Sequence, residues 1–202
     1  MVVGLFLDDV GFGIHGFILT KDGDFITIDE PDATMQTVLF GINSSGAIVG
    51  AFGNDVGEGT HGFLLSKKGD FTTIDEPSGL FGTEALGIDA SGNIVGKYFD
   101  STGSDPHGYL LSKKGVFTTI DVPGAVKGTV ASGINASGQI VGTYQDSVGF
   151  YGFELTTKGI FITIDVPGAI AGTTNAIGIN SQGQISGFFT DSLGVHGFVA
   201  TP

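Results

Sequence analysis

The sequence predicts an all-β fold of the β-propeller class, because one repeat of about 45 residues fills the chain, each copy reads as four short strands, and those strands are apolar on both faces. The tripeptide His-Gly-Phe begins at His15, His61 and His196, becomes His107-Gly108-Tyr109 in the third copy and Tyr151-Gly152-Phe153 in the fourth, in steps of 46, 46, 44 and 45. Thr-Ile-Asp ends at Asp29, Asp75, Asp121 and Asp165, each followed two residues later by Pro31, Pro77, Pro123 or Pro167. Gly-Ile-Asn/Asp ends at Asn43, Asp89, Asn135 and Asn180, then leads through a glycine turn into Ile-Val-Gly or its variant Ile185-Ser186-Gly187.

The second copy shows the elements in order. A first strand, Ala85 to Asp89, ends in the Ser91-Gly92 turn, and a second, Ile94 to Asp100, ends in a loop through Gly103. A third, His107 to Ser112, turns at Lys113-Lys114-Gly115 into a fourth, Val116 to Asp121, closed by Pro123-Gly124. Short runs bounded by glycine turns are hairpin signals, and proline belongs at strand ends, where no ladder donor is needed. Phe117 and Ile120 fall on opposite faces of the fourth strand, as Tyr109 and Leu110 do in the third, so both faces need cover. Blades stacked around an axis supply that cover; a β-solenoid would too and is the alternative architecture. Copies differ in length only in their connections, where insertions cost little.

The chain opens on a second strand, Val2 to Asp8, and closes on a third, His196 to Ala200. The expected arrangement is therefore five blades, the first lacking its inner strand and the last its outer one, at about 1–31, 36–77, 82–123, 128–167 and 174–202 of a single repeat domain. A four-bladed ring is the other count; there the strand Thr174 to Asn180 would complete the first blade and leave C-terminal strands surplus.

Composition narrows the function. With 21 acidic against 8 basic residues and a net charge of −13, the chain repels phosphate backbones and anionic headgroups, which argues against nucleic acid as a partner. Every basic residue is lysine, so the bidentate fork of arginine is absent. Without cysteine there is no disulfide or thiolate chemistry, and no apolar run is long enough for membrane insertion as a helix. Because strand direction alternates, the lysine turns and Ser-Gly turns share one face of the disc, and the longer, aspartate-bearing loops lie on the other.

Loops on that acidic face are the candidate ligand-binding surface: Asp100 with Ser101, Asp146 with Ser147, Asp191 with Ser192, and the aromatic pair Phe150 and Tyr151. One carboxylate and one hydroxyl per loop fall short of the oxygens calcium prefers, so no cofactor is expected, with calcium the only ion these loops suggest. The histidines recur on separate blades and cannot converge on one metal; their expected role is to open a strand and hydrogen-bond a neighbouring turn. Catalysis needs unlike groups gathered in one place, and the non-repeating polar residues Glu84, Lys97, Lys127 and Glu154 read as scattered, so the chain is expected not to be an enzyme.

The consensus His-Gly-Phe-Leu-Leu, Phe-Thr-Thr-Ile-Asp-x-Pro-Gly-Ala, Gly-Ile-Asn-x-Ser-Gly-x-Ile-Val-Gly resembles the HAF repeats of bacterial extracellular proteins over essentially the whole chain, with glycine where that family has its name-giving alanine. The resemblance implies an extracellular or cell-surface location and no particular chemistry. The sequence-based expectation is thus a non-catalytic binding or adhesion module that takes a glycan or a protein at its acidic loops; the alternative is a structural subunit whose partners are copies of itself, joined head to tail through the incomplete end blades into fibres or rings.

Overall fold

The computed structural model describes residues 1–8, 13–54 and 59–201. The structure is all β, with strands grouped as five successive blades. Blade 1 holds β1 (Val2–Leu7), β2 (Ile14–Leu19) and β3 (Phe25–Ile28). Blade 2 holds β4 (Gln36–Ile42), β5 (Ile48–Gly53), β6 (Thr60–Leu65) and β7 (Phe71–Ile74). Blade 3 is β8 (Gly82–Ile88), β9 (Ile94–Phe99), β10 (Pro106–Leu111) and β11 (Phe117–Ile120), and blade 4 is β12 (Thr129–Ile134), β13 (Ile140–Gln145), β14 (Phe150–Leu155) and β15 (Phe161–Ile164). Blade 5 holds β16 (Asn175–Ile179), β17 (Ile185–Asp191) and β18 (Gly194–Ala200). The propeller expectation and its sequence of three, four, four, four and three strands hold.

Within each blade neighbouring strands are antiparallel, and single parallel bridges hand the chain from one blade to the next, at Ile14 with Gln36, Thr60 with Gly82 and Phe150 with Thr173. Each inner strand slips register at one place, Leu39/Gly41, Ala85/Gly87, Ala131/Gly133 and Ala176/Gly178, the added twist of a β-bulge repeated blade after blade. The glycines at these slips let inner strands touch backbone to backbone. A Cβ on Gly87 would sit 3.0 Å from the Ser132 carbonyl oxygen and 3.2 Å from the Gly133 Cα. On the turn face, Asn43 Nδ2 donates to the Asp89 carbonyl oxygen (3.0 Å) and Asn135 Nδ2 to that of Asn180 (3.2 Å), tying adjacent blades together.

The apolar residues of both strand faces meet between blades. Val3, Ile18 and Ile28 of blade 1 pack on Leu39, Ile48, Phe63 and Leu65 of blade 2. The same layer recurs with Val49, Leu64 and Ile74 on Ala85, Ile94 and Tyr109, and again with Val95, Leu110 and Ile120 on Ala131, Ile140 and Phe153. Val49, Val95, Val141, Phe63, Tyr109 and Phe153 are wholly buried. At roughly 1.5–3 kcal/mol for each such side chain, these layers are the main stabilising term.

Blades 1 and 5 each leave one face open, because among the described residues β16–β18 do not pack on β1–β3. The five blades form an arc, with the expected number of blades but without ring closure. On blade 5, Ser186 occupies the position of the buried Val49, Val95 and Val141 and is exposed, beside Phe188 and Val199. On blade 1 the open face keeps its aromatic cover, Phe6, Phe17 and Phe25.

Candidate functional site

Each third strand opens beside the loop face, and its first residues meet two other strands there. Successive side chains alternate, so the His15 ring lies on the same side as Phe6 of the paired strand, and their centroids are 5.3 Å apart. The stack recurs at Phe52 with His61 (5.3 Å), Tyr98 with His107 (5.2 Å) and Phe189 with His196 (5.6 Å). Across the other edge, the aspartate that ends the fourth strand accepts from the imidazole: His15 Nδ1 to Asp29 at 2.8 Å, His61 Nδ1 to Asp75 at 2.9 Å, and His107 Nδ1 to Asp121 at 3.0 Å. An ionised carboxylate only accepts, so Nδ1 carries a proton, and in the neutral ring Nε2 keeps the basic lone pair.

A second carboxylate faces Nε2 in two of these units, Asp8 at 3.9 Å from His15 and Asp100 at 3.8 Å from His107. The hydrogen bond that His15 donates to Asp29 raises its pKa above the ordinary value against the effect of burial, and Asp8 adds to the rise. In blade 5, which has no fourth strand, His196 turns its Nε2 to Asp191 at 3.1 Å. Tyr151 stands in the histidine position of blade 4, stacked on Tyr144, and burial together with Asp146 and Asp165 raises its phenol pKa.

A fourth residue comes from the next blade. Buried Thr37, Thr83, Thr129 and Thr174 accept through Oγ1 from the backbone N–H one residue past each strand-ending aspartate, at Glu30, Glu76, Val122 and Val166 (3.0 to 3.2 Å). The threonine clamp sets the wall of a cavity. One, of about 260 Å³, is lined by Thr102, Asp105, His107, Asp121, Val126 and Thr129; its counterpart in blade 1, of about 390 Å³, is lined by Asp8, His15, Asp29, Met35, Gln36 and Thr37.

The loop residues singled out from sequence lie on this face in three separate blades, Asp100 and Ser101 in blade 3, Asp146, Ser147, Phe150 and Tyr151 in blade 4, Asp191 and Ser192 in blade 5, and the fold does not bring the three groups together. Asp100 accepts from Thr102 N (2.8 Å) and Oγ1 (2.6 Å), Asp146 from Val148 N (2.7 Å), and Asp191 from Leu193 N (2.7 Å). Those bonds, with His107 and His196 adding their share, hold Asp100 and Asp191 below the usual carboxylate range. Ser101, Ser147 and Ser192 are exposed; Phe150 is exposed at the start of β14, while Tyr151 points to the other face of that strand. Among the described residues no group of three or more His, Asp or Glu is placed to hold a metal ion. The polar residues read as scattered include a directly opposed pair, Glu84 and Lys97, whose charges are 3.3 Å apart, and Glu154 accepts from Gln139 at 2.8 Å.

Sequence reasoning missed the aspartate partners. The signal was a constant spacing: Asp29, Asp75 and Asp121 each follow their histidine by 14 residues, and Asp165 follows Tyr151 by the same 14.

The fold and this recurrent pairing define a β-propeller whose loop face carries carboxylate-oriented imidazoles. No protein-family profile matches the chain, and no curated protein matches it in sequence. Solved structures do share its fold. A streptogramin B lyase superposes with a TM-score of 0.54 at 18% identity over 98% of this chain and 68% of its own; a catalytically inactive histidine-to-alanine variant of virginiamycin B lyase from Staphylococcus aureus, with quinupristin, gives 0.52 at 14% over 99% and 71%. A gluconolactonase from Xanthomonas campestris gives 0.50 at 12% over 98% and 71%.

These findings correct the expectation of a non-catalytic binding module or self-assembling structural subunit. The proteins that share the fold are enzymes, so the propeller itself gives no ground for excluding chemistry. The physical error lay in treating in-register polar residues as incapable of acid–base work. Blades 1 and 3 each gather an imidazole and two carboxylates from three strand ends, and blades 2 and 5 an imidazole and one carboxylate.

Proposed function

We propose that the chain is an enzyme that opens cyclic esters by general acid–base catalysis at its loop face, with His107 as the proton-transfer group. The observation that carries the proposal is the Asp121–His107–Asp100 arrangement beside a cavity. Asp121 fixes the imidazole through Nδ1–H, Nε2 is left to accept a proton, and Asp100 stabilises the imidazolium that forms. In the step envisaged, Nε2 takes a proton from water as the water oxygen bonds to the ester carbon. The same proton then passes to the ring oxygen as the carbon–oxygen bond breaks. An acidic surface favours neutral or cationic substrates, and the gluconolactonase name of one structure that shares the fold suggests the cyclic ester. The resemblance to HAF repeats supports a place of action outside the cell.

The test is a panel of sugar and aliphatic lactones followed by acid release. His107→Asn and Asp121→Asn are expected to lower turnover by about 10²- to 10⁴-fold without loss of the fold. Turnover untouched in the triple variant His15→Asn/His61→Asn/His107→Asn, or no lactone consumed by the parent chain, would overturn the proposal.

A further inference from the structure

We infer that the wedge-shaped clefts between blades 1 and 2 and between blades 2 and 3 bind an amphipathic carboxylate, a medium-length acyl chain with its head at a turn-face lysine. Blades diverge outward, and the gap between them opens at the turn face as a cleft of about 1010 Å³ between blades 1 and 2. Its walls include Ile18, Ile28, Ile48, Leu65 and Phe71, with Lys67 and a further lysine, Lys21, at the rim. A second cleft, of about 450 Å³, is built from the residues 46 positions later: Leu64, Ile74, Ile94, Leu111 and Phe117, with Lys113 at the rim. The apolar lining and the placement of the cation therefore occur twice, in the same order, in a chain that has only eight basic residues.

The rim lysines are electrically unanswered. Lys67 lines its cleft beside the Gly46 turn and Lys113 beside the Gly92 turn. Among the described residues the lysine that makes an ion pair is Lys97, with Glu84, and no rim lysine does so. An apolar trough with an unpaired ammonium at one end matches a fatty carboxylate in both parts. Asp29 and Asp75 also line the two clefts, and each repels an anionic head and so favours its placement at the lysine. The wall strand of four residues spans roughly 13 Å, room for an extended tail of medium length. These clefts open on the face opposite the histidines, and the inference stands whether or not the loop face is catalytic.

The experiment is calorimetric titration of the full chain with sodium decanoate at about 0.15 M salt, where the long-range repulsion of an acidic protein is screened within about 8 Å. Two sites are expected, with acetate, decanol and decylammonium each at least tenfold weaker. Lys21→Gln/Lys67→Gln should remove one site, Lys113→Gln the other, and the triple variant both, while Lys158→Gln keeps both. All are exposed turn positions, so circular dichroism should stay unchanged. Equal binding of decylammonium, or undiminished decanoate binding by the triple variant, would overturn the inference.

Discussion

His15 shows how one side chain couples charge to folding. Its pKa is raised in the fold, chiefly by the hydrogen bond to Asp29. A group whose folded pKa exceeds its unfolded value, about 6.5, stabilises the fold fully below that value, and the contribution disappears as pH rises through the raised one. Protonation therefore favours the native state on the acid side of neutrality. Titrating the imidazole by NMR should give a midpoint above that of a model histidine, and Asp29→Asn should bring the midpoint down while flattening the fall in melting temperature between about pH 6 and 8. A midpoint unmoved by Asp29→Asn would assign the rise to Asp8 instead. The carboxylates Asp100 and Asp191 run the other way: their pKa values are depressed, so their contribution is present above the unfolded carboxylate value and is lost as pH falls through the folded one.

At the level of strands and turns, much was legible in the sequence because the signals were local. Glycine turns, proline at strand ends and the two-residue alternation placed the strand ends of the second copy to within one residue, except the start of the first strand, which lies three residues earlier at Gly82. His–Asp pairing was harder to read, since it joins the start of one strand to the end of the next across a hairpin, and only the register fixes the meeting: Gly108 opposes Ile120, which sets His107 beside Asp121. Harder still were the threonines, which act on the preceding blade. Thr129 is wholly buried and accepts the Val122 N–H at 3.1 Å, so Thr129→Val, nearly equal in shape, leaves a buried donor without a partner. Chemical denaturation should report a loss of about 1–3 kcal/mol. The exposed Thr118→Val should stay within about 0.5 kcal/mol of the parent.

Across the whole molecule, the repeat announced how many blades to expect but not whether they would close, because closure depends on the small angle between neighbours and no residue encodes it alone. The open faces leave a graded object. Blade 3 is covered on both sides, whereas blades 1 and 5 are each covered on one. In a chain of units that touch only their neighbours, opening should begin at the ends. Amide exchange should be slowest in β8–β11 and faster in β1–β3 and β16–β18; uniform protection would mean that the five blades open as one.

The layer between blades repeats its composition at three of the four joints, where Val49 meets Ala85 as Val95 meets Ala131 and Val141 meets Ala176; at the first, Val3 meets Leu39. A cut that removes one whole period would bring together two surfaces already shaped for each other, whereas removing half a period would join strangers. The chain is in effect spliceable at intervals of one repeat, 44 to 46 residues, and a protein built this way can grow or shrink by a blade without inventing a new seam.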